Sequence, residues 1–249
     1  MAQYQPPELS LKDRVILITG AADGLGKEIA LGYAKHGATV ILLDKNVSNL
    51  EALYDEIVKH KFPEPALYPL DLGGATADDY VTLAENIDKE FGRLDGLVHN
   101  AAVMGPITPM QLYNPEDWYK VMQINLNAPF LINQNCIPLL NQAEEASLIF
   151  VTDSCGTQGS AYWGAYGVSK AGLDNMMQTL ADELESSTNI RINSIDPGNI
   201  RTKMRAFAYP AEDPETQPTP DLLVPGFLYL MGSDSKQFTG RSFMAEDFI

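Results

Sequence analysis

Short apolar runs alternate along the chain with longer segments whose apolar residues recur at helical spacing. The runs lie at Val15 to Thr19, Thr39 to Leu43, Ala66 to Leu72, Leu94 to His99, Leu148 to Val151, Ile190 to Ile195 and Phe238 to Met244. Runs that are apolar on both faces are typical of strands covered by helices on both sides. We therefore predict a strand at each of these places.

Helix-length segments separate the runs. They are Gly24–His36, Ser48–His60, Ala77–Phe91, Pro115–Leu140 and Tyr162–Glu185. This alternation predicts an α/β fold with one doubly wound, parallel, Rossmann-like sheet and helices on both faces. The length suits a single domain spanning residues 1–249, and no internal repeat or low-complexity linker divides the chain.

One stretch breaks the alternation. Residues 203–225 are rich in Pro, Asp and Glu and are too long for a plain connection. We predict a mobile loop with a short helix, inserted where a substrate would be covered. Met204, Phe207 and Tyr209 are its candidate apolar contacts.

Charge and composition narrow the partners. The net charge is −16, and the acidic residues are spread along the chain, so nucleic acid and membrane surfaces are not expected partners. No apolar run approaches the length of a membrane span, and the N-terminus lacks the features of a secretory signal. Two cysteines, Cys136 and Cys155, suit the reduced thiols of a cytoplasmic protein. We predict no metal site.

A glycine-rich segment, TGAADGLG, joins the first predicted strand to the first helix, with glycines at Gly20, Gly24 and Gly26. Glycines permit a tight turn and let the backbone approach a pyrophosphate, while the helix N-terminus offers free N–H groups. A glycine-rich turn without a ligand is the alternative, but the position between strand and helix favours a dinucleotide site.

Asp44 ends the second strand at the distance expected for an acid that accepts hydrogen bonds from an adenosine ribose. The 2′-phosphate of NADP would meet the charges of Asp44 and of Asp23 in the glycine loop, and only Lys45 would soften the repulsion. Two unit charges about 4 Å apart at an effective dielectric of about 20 interact by about 4 kcal/mol, and a third of that is roughly tenfold in binding. We therefore predict NAD rather than NADP.

Tyr166 and Lys170 are four residues apart in GAYGVSKAG, a spacing that puts both side chains on one helix face. A tyrosine is a poor acid or base at its ordinary pKa of about 10. A nearby ammonium group favours the phenolate and lowers the tyrosine pKa toward neutrality. The pair is thus a candidate proton donor and its support.

The motifs together resemble those of short-chain dehydrogenases/reductases. In chain order they are TGxxxGxG, His99-Asn100-Ala101, Asn125 in VMQINLNAPF, Tyr166-x-x-x-Lys170 and Pro197-Gly198. The stretches GTQGSAYWGAYGVSK, MMQTLADE, RTKMRA, YPAEDP and LYLMGSDS are further similar to the YciK-type branch of bacterial oxidoreductases.

The resemblance implies roles for individual positions. It places the pyrophosphate on Gly20, Gly24, Leu25 and Gly26, the adenine beside Asp71 and Leu72, and a ribose beside Asn100 and Ala101. It places the nicotinamide end on Tyr166, Lys170, Pro197, Gly198, Ile200 and Thr202. Asn125 would hold a helix kink and a water of a proton relay.

The sequence departs from the family at two places. His99 stands where an asparagine is usual, and we interpret it as a packed strand-end residue. The family's substrate-orienting serine, thirteen residues before the tyrosine, is here Asp153 in VTDSCG, followed by Ser154. The spacing favours Asp153, whereas the cost of burying an unpaired carboxylate favours Ser154. Both remain candidates for holding the substrate oxygen.

We therefore expect an enzyme that transfers a hydride between NAD(H) and a small carbonyl or alcohol substrate, with Tyr166, Lys170 and Asn125 moving the proton. The resemblance also implies a homodimer or homotetramer. One alternative is an NAD-binding sensor or structural protein with weak or lost turnover. A further alternative is an epimerase or dehydratase that keeps its cofactor bound.

Overall fold

A parallel sheet of seven strands forms the centre of the described part of the protein. The computed structural model describes residues 4–249. The strands are β1 Val15–Thr19, β2 Thr39–Asp44, β3 Ala66–Pro69, β4 Gly96–His99, β5 Ala146–Val151, β6 Ile190–Asp196 and β7 Ser242–Met244. Their order in the sheet is β3-β2-β1-β4-β5-β6-β7, and all pairs are parallel. The predicted doubly wound Rossmann-like domain is confirmed.

Helices cover both faces of the sheet. They are α1 Gly24–Lys35, α2 Val47–Lys59, α3 Ala77–Phe91, α4 Pro115–Met122, α5 Ala128–Leu140, α6 Ser154–Thr157, α7 Gly164–Leu184, α8 Lys203–Ala208 and α9 Val224–Met231. The buried residues of α1, α2 and α9 form one apolar cluster with the sheet, and those of α3, α5 and α7 form the other. Strands buried on both faces explain why their runs are continuously apolar.

Two predicted segments have more structure than the pattern indicated. The single helix predicted over Pro115–Leu140 is divided by a π-helical turn at Gln123–Asn127, between α4 and α5. Residues 203–225 contain α8 and two 3₁₀ turns, Pro214–Thr216 and Pro220–Leu223, before α9 begins. The last predicted strand is also shorter, because only Ser242–Met244 pairs with β6.

The strand order positions a ligand cleft. The chain leaves β1 toward β2 on one side and later returns to place β4 on the other side of β1. In open α/β sheets the carboxyl ends of strands at such a reversal leave a crevice, and ligands bind there. The glycine loop after β1 and the segment after β4 border that crevice.

A buried arginine holds the end of α9 against the sheet. Arg191, on β6, donates hydrogen bonds to the carbonyls of Leu230 and Met231 and to Ser235, and Arg14 donates to Met231 as well. Burial lowers the pKa of Arg191 to about 10, so its guanidinium stays charged at neutral pH. The final carbonyls of a helix need such partners because they have none within the helix.

Replacing this guanidinium should therefore destabilise the fold. We expect Arg191→Met to lower the free energy of unfolding by about 2 kcal/mol, since buried carbonyls lose charge-assisted donors. Urea denaturation followed by circular dichroism measures the loss. Arg241→Met, at an exposed arginine just before β7, is the matched control. Equal stability of the two variants would contradict a stabilising role for Arg191.

Candidate active site

One cleft of about 380 Å³ lies at the carboxyl ends of the strands. It contains every residue that the sequence assigned to cofactor binding except Gly26: Gly20, Asp23, Gly24, Leu25, Asp44, Asp71, Leu72, Asn100, Ala101, Tyr166, Lys170, Pro197, Gly198, Ile200 and Thr202. These residues come from six separate segments of the chain. The cleft therefore joins the glycine loop to the Tyr166 pair in one continuous space.

Gly26 has a packing role at the base of the glycine loop. A Cβ atom at Gly26 would lie 2.1 Å from the carbonyl oxygen of Gly20 and 2.5 Å from the side-chain amide of Asn100. Gly20 and Gly24 have φ of +68° and +53°, which glycine adopts without strain. The loop thus turns tightly and brings the N-terminus of α1 to the cleft, where free N–H groups and the helix dipole favour an anion.

Asn100 ties this loop to β4. Its side-chain amide donates to the carbonyls of Thr19 and Gly20 at 3.0 and 3.1 Å. The hydroxyl of Thr19 in turn accepts from the backbone N–H groups of Asn100 and Ala101, both at 3.1 Å. These hydrogen bonds fix the conformation of the glycine loop. Asn100 therefore contributes to the cleft chiefly by holding the backbone of that loop in position.

Asp44 and Asp23, the acidic residues near the adenine end of the cleft, already have partners within the protein. The Asp44 carboxylate accepts from the backbone N–H groups of Ala22 at 3.3 Å and Asn46 at 2.9 Å. Asp23 caps α1 through the N–H of Gly24 at 2.8 Å and forms an ion pair with Lys203 at 2.5 Å. The hydrogen bond from Lys203 lowers the pKa of Asp23. The negative charge at the glycine loop is therefore partly balanced by a lysine from α8.

Tyr166 and Lys170 lie on the buried face of α7, which begins at Gly164. Their side chains are buried, and both line the cleft. The Lys170 ammonium lies 5.5 Å from the centroid of the Tyr166 ring and donates to the carbonyl of Val151 at 2.7 Å. The helical spacing thus brings the pair together as predicted.

Asp153, rather than Ser154, faces the tyrosine. The Tyr166 hydroxyl donates to Asp153 Oδ2 at 3.1 Å, and the N–H of Cys155 donates to Asp153 Oδ1 at 2.9 Å. Ser154 is exposed and lies outside the cleft. The geometry therefore agrees with the spacing count, and the burial-cost argument for Ser154 is weakened because Asp153 caps α6 and has polar partners. Which of the two holds a substrate oxygen stays a prediction.

The pKa of Tyr166 differs from the sequence expectation. Burial, followed by the charge of Asp153, raises this pKa well above 10, and Cys155 and Asp196 add to the effect. Burial also lowers the pKa of Lys170. The expected lowering of the tyrosine pKa by Lys170 is therefore outweighed in this structure by burial and by the Asp153 carboxylate.

Asn125 lies in the π-helical turn between α4 and α5. Its side chain exchanges two hydrogen bonds with the backbone of Val103, at 2.8 and 2.9 Å, and donates to Ser169 Oγ at 3.0 Å. Ser169 immediately precedes Lys170 in α7. Asn125 thus joins the segment after β4 to the helix that carries Tyr166 and Lys170.

His99 and Cys155 are buried among packed side chains. His99 is buried against Phe150, with ring centroids 5.0 Å apart, and its Nε2 lies 2.7 Å from Asn133 Oδ1. Burial lowers the pKa of His99 to about 4, so the ring is neutral at physiological pH. Burial raises the pKa of the Cys155 thiol, which disfavours a thiolate nucleophile. Neither residue lines the cleft.

The far end of the cleft includes residues that the motifs did not single out. Trp163 and Arg205 line it together with Met204 and Tyr209 from the 203–225 segment, whereas Phe207 is exposed outside it. Arg205 forms two hydrogen bonds with Glu212, at 2.7 and 2.8 Å.

Residues 4–249 contain neither a membrane-spanning helix nor a metal-binding cluster. None of their helices has the length and apolarity to cross a bilayer. Within the same residues, no group of three or more His, Cys, Asp or Glu side chains is arranged to hold a metal ion.

Comparison with known proteins gives the same family throughout. A family model described as short chain dehydrogenase matches residues 14–213. The uncharacterized oxidoreductase YciK of Escherichia coli K12 is 45% identical over 243 residues, which cover 98% of this chain and 96% of that protein. Short chain dehydrogenases from Shigella flexneri 2a, complexed with NADP, and Escherichia coli CFT073, complexed with NADPH, each have a TM-score of 0.93 and 44% identity and match 96% of this chain and 100% of theirs. This chain therefore belongs to the short-chain dehydrogenase family.

Proposed function

We propose that the protein transfers a hydride between a nicotinamide dinucleotide and a small carbonyl or alcohol substrate. The observation that carries the proposal is the cleft, which holds the glycine loop at one end and the Tyr166–Lys170 pair at the other. Bound there, the dinucleotide would supply or accept the hydride. Oxidation or reduction of NAD(H) and NADP(H) over a panel of alcohols and carbonyls tests the proposal, and cofactor binding without turnover on the whole panel would refute it.

Tyr166 moves the proton in this proposal. During reduction its hydroxyl protonates the carbonyl oxygen, and during oxidation its phenolate takes the alcohol proton. The Lys170 ammonium, 5.5 Å from the ring, stabilises the phenolate, and it also serves the nicotinamide ribose. Asn125, bonded to Ser169 beside Lys170, positions the pair and relays protons.

Asp153 distinguishes this site from the arrangement that is usual in the family. In this proposal its carboxylate lies beside the substrate oxygen, where the family usually has a serine. A carboxylate disfavours the negative charge that develops on a carbonyl oxygen during reduction. It also accepts the Tyr166 hydroxyl at 3.1 Å. We therefore infer that the site favours alcohol oxidation at alkaline pH.

The choice between NAD and NADP depends on Asp44 and Lys45, which both line the cleft. The charge of Asp44 favours NAD, whereas the two relatives complexed with NADP and NADPH favour NADP. The ion pair between Asp23 and Lys203 weakens the argument for NAD further, because Lys203 partly balances the Asp23 charge that would repel a 2′-phosphate. The NAD preference remains a prediction, and it now rests on Asp44 alone.

Paired substitutions decide the cofactor question. We expect Asp44→Asn to improve NADP binding about tenfold relative to NAD, because a repulsive charge is removed. Lys45→Met should change the ratio in the opposite direction. Titration calorimetry of both cofactors against each variant measures the ratios. Tighter binding of NADP than NAD by the unmodified protein would contradict the NAD preference.

We further propose that residues 203–225 act as a substrate lid. The segment contacts the glycine loop through the Lys203–Asp23 ion pair and lines the cleft with Met204 and Tyr209. Trypsin should cut first after Lys203 or Arg205, and saturating cofactor with substrate should slow that cleavage several-fold. Mass spectrometry of the fragments locates the cut. Equal cleavage rates with and without ligands would contradict a lid.

A second candidate function is cofactor binding without turnover. Asp153 favours it, because an ionised carboxylate opposes the charge that carbonyl reduction creates. The proximity of Tyr166, Lys170 and Asn125 favours the enzyme. The proposed assembly into a homodimer or homotetramer and the cytoplasmic location remain predictions of either function.

A further inference from the structure

The backbone around Trp163 is unusually constrained. Tyr162 and Gly164, on either side of it, have φ of +76° and +39°. Left-handed conformations at a residue such as tyrosine are strained and persist only where the surrounding structure enforces them. At Gly164, a Cβ atom would lie 2.5 Å from the Tyr113 ring, so this turn is packed tightly. The turn fixes Trp163 at the wall of the cleft.

Three aromatic rings meet at this wall. The Trp163 ring lies 5.7 Å from that of Tyr166 and 6.2 Å from that of Tyr209, measured between centroids, with interplanar angles of 42° and 48°. All three residues line the cleft. Aromatic faces carry partial negative charge and attract cations, and tryptophan does so most strongly.

The Asp153 carboxylate has no direct hydrogen bond or ion pair with a basic side chain of the described residues. Among residues 4–249, its side-chain hydrogen bonds come from Cys155 N–H and Tyr166 O–H, and no ion pair includes it. Arg205 pairs with Glu212 and Lys170 donates to the carbonyl of Val151, so these two cations act on Asp153 only from a longer distance. A carboxylate has about four acceptor positions, so Asp153 can accept a further donor from a ligand.

Basic side chains of the protein lie close to two of the three rings. Arg205 lies 3.9 Å from the centroid of Tyr209, and Lys170 lies 5.5 Å from that of Tyr166. Within the described part of the chain, no lysine or arginine is stacked on Trp163. A ligand cation would therefore find an aromatic acceptor in Trp163 and an anionic one in Asp153, both at the substrate end of the cleft.

We propose that the substrate carries an ammonium group close to its reacting alcohol or carbonyl carbon, and that Trp163 and Asp153 bind this group. The inference rests on the proposed hydride transfer and names its substrate class. In the oxidation of an amino alcohol, the carbinol hydrogen leaves as hydride to the oxidised nicotinamide and the hydroxyl proton goes to Tyr166. The product is an amino ketone or amino aldehyde, and the ammonium group is unchanged.

A pair of matched alcohols tests the inference. Isopropanolamine carries an ammonium at neutral pH, and sec-butanol has a methyl group in its place. With the protein saturated by oxidised cofactor, we expect calorimetry to show at least roughly tenfold tighter binding of isopropanolamine, the size of effect that a desolvated cation–π contact or charge pair produces. The ratio of kcat/KM for the two alcohols should show the same preference.

Variants separate the contributions. Asp153→Asn, which keeps the size of the side chain, and Trp163→Leu should each reduce the binding preference several-fold. Phe130→Leu is the control, because Phe130 is an exposed aromatic residue on α5 that does not line the cleft. A preference that survives in Asp153→Asn and Trp163→Leu would overturn the inference.

The binding and turnover measurements together distinguish failure of this inference from failure of the proposed function. Turnover of both alcohols with equal efficiency would refute the ammonium site and leave the oxidoreductase function intact. Preferential binding of isopropanolamine with no turnover of any alcohol or carbonyl would support the ammonium site and refute hydride transfer. Equal or weaker binding of isopropanolamine would overturn the inference whatever the turnover.

Discussion

Tyr166→Phe should reduce turnover by about 10² to 10⁴ and leave cofactor affinity nearly unchanged. The substitution removes the hydroxyl that exchanges a proton with the substrate, and general acid–base groups contribute this much to rate. The ring remains to pack against Trp163 and Lys170. Steady-state kinetics on the best substrate of the panel, with calorimetric titration of the cofactor, measures both quantities.

The control for this substitution is Tyr119→Phe. Tyr119 is 69% exposed and lies outside the cleft, so loss of its hydroxyl should not change turnover. Lys170→Ala should differ from Tyr166→Phe by losing cofactor affinity as well as rate, since Lys170 serves both. Retention of more than about a tenth of the activity in Tyr166→Phe would show that another group moves the proton.

Asp153→Ser should shift the pH–rate profile to lower pH by about one to two units and increase carbonyl reduction at neutral pH. The Asp153 carboxylate contributes to the raised pKa of Tyr166. Alcohol oxidation needs the phenolate, so its rate rises with pH through the tyrosine pKa, and that limb moves down when the pKa falls. A shift of one unit corresponds to about 1.4 kcal/mol, or a tenfold change at a fixed pH on that limb.

Ser154→Ala is the control for this experiment. Because Ser154 is exposed and lies outside the cleft, its loss should leave the profile unchanged. The opposite result is an unchanged pH–rate profile in Asp153→Ser and a loss of activity in Ser154→Ala. It would show that the end of β5 shifts when ligands bind and that Ser154 orients the substrate.

Much of the fold follows from local pattern alone. Strands covered on both faces are continuously apolar, so β1 and β2 were predicted nearly to the residue. The glycine loop was recognisable because a turn against a phosphate requires glycine at fixed positions. Helix α3 has its predicted bounds, Ala77–Phe91, because a capping box at Thr76 begins it and Gly92 ends it in a left-handed conformation.

The remainder depends on contacts between distant segments. The π-helical turn at Asn125 interrupts an otherwise periodic stretch because the Asn125 side chain binds Val103, a partner 22 residues away. Helix α9 lies beside a proline-rich segment and is nearly all apolar, so it lacks the polar face that marks a surface helix. Periodicity carries no information on either feature.

The site shows the same division. Motif spacing favoured Asp153, which faces Tyr166 in the structure. The burial-cost argument for Ser154 omitted the partners that the fold supplies, the Cys155 N–H and the Tyr166 hydroxyl. The contribution of Trp163 and Arg205 to the cleft could not be predicted. Both line the cleft because the fold brings the start of α7 and the 203–225 segment together there.

Direct observation of hydride transfer tests the central claim. The protein would be incubated with reduced nicotinamide cofactor deuterated at its hydride-bearing carbon and with a panel of aldehydes and ketones, amino ketones included. Mass spectrometry would then locate deuterium in the products. We expect one deuterium on the carbinol carbon of at least one product, formed by the unmodified protein and lost in Tyr166→Phe. Binding of the cofactor with no deuterium in any product would contradict the assignment of this cleft as an oxidoreductase active site.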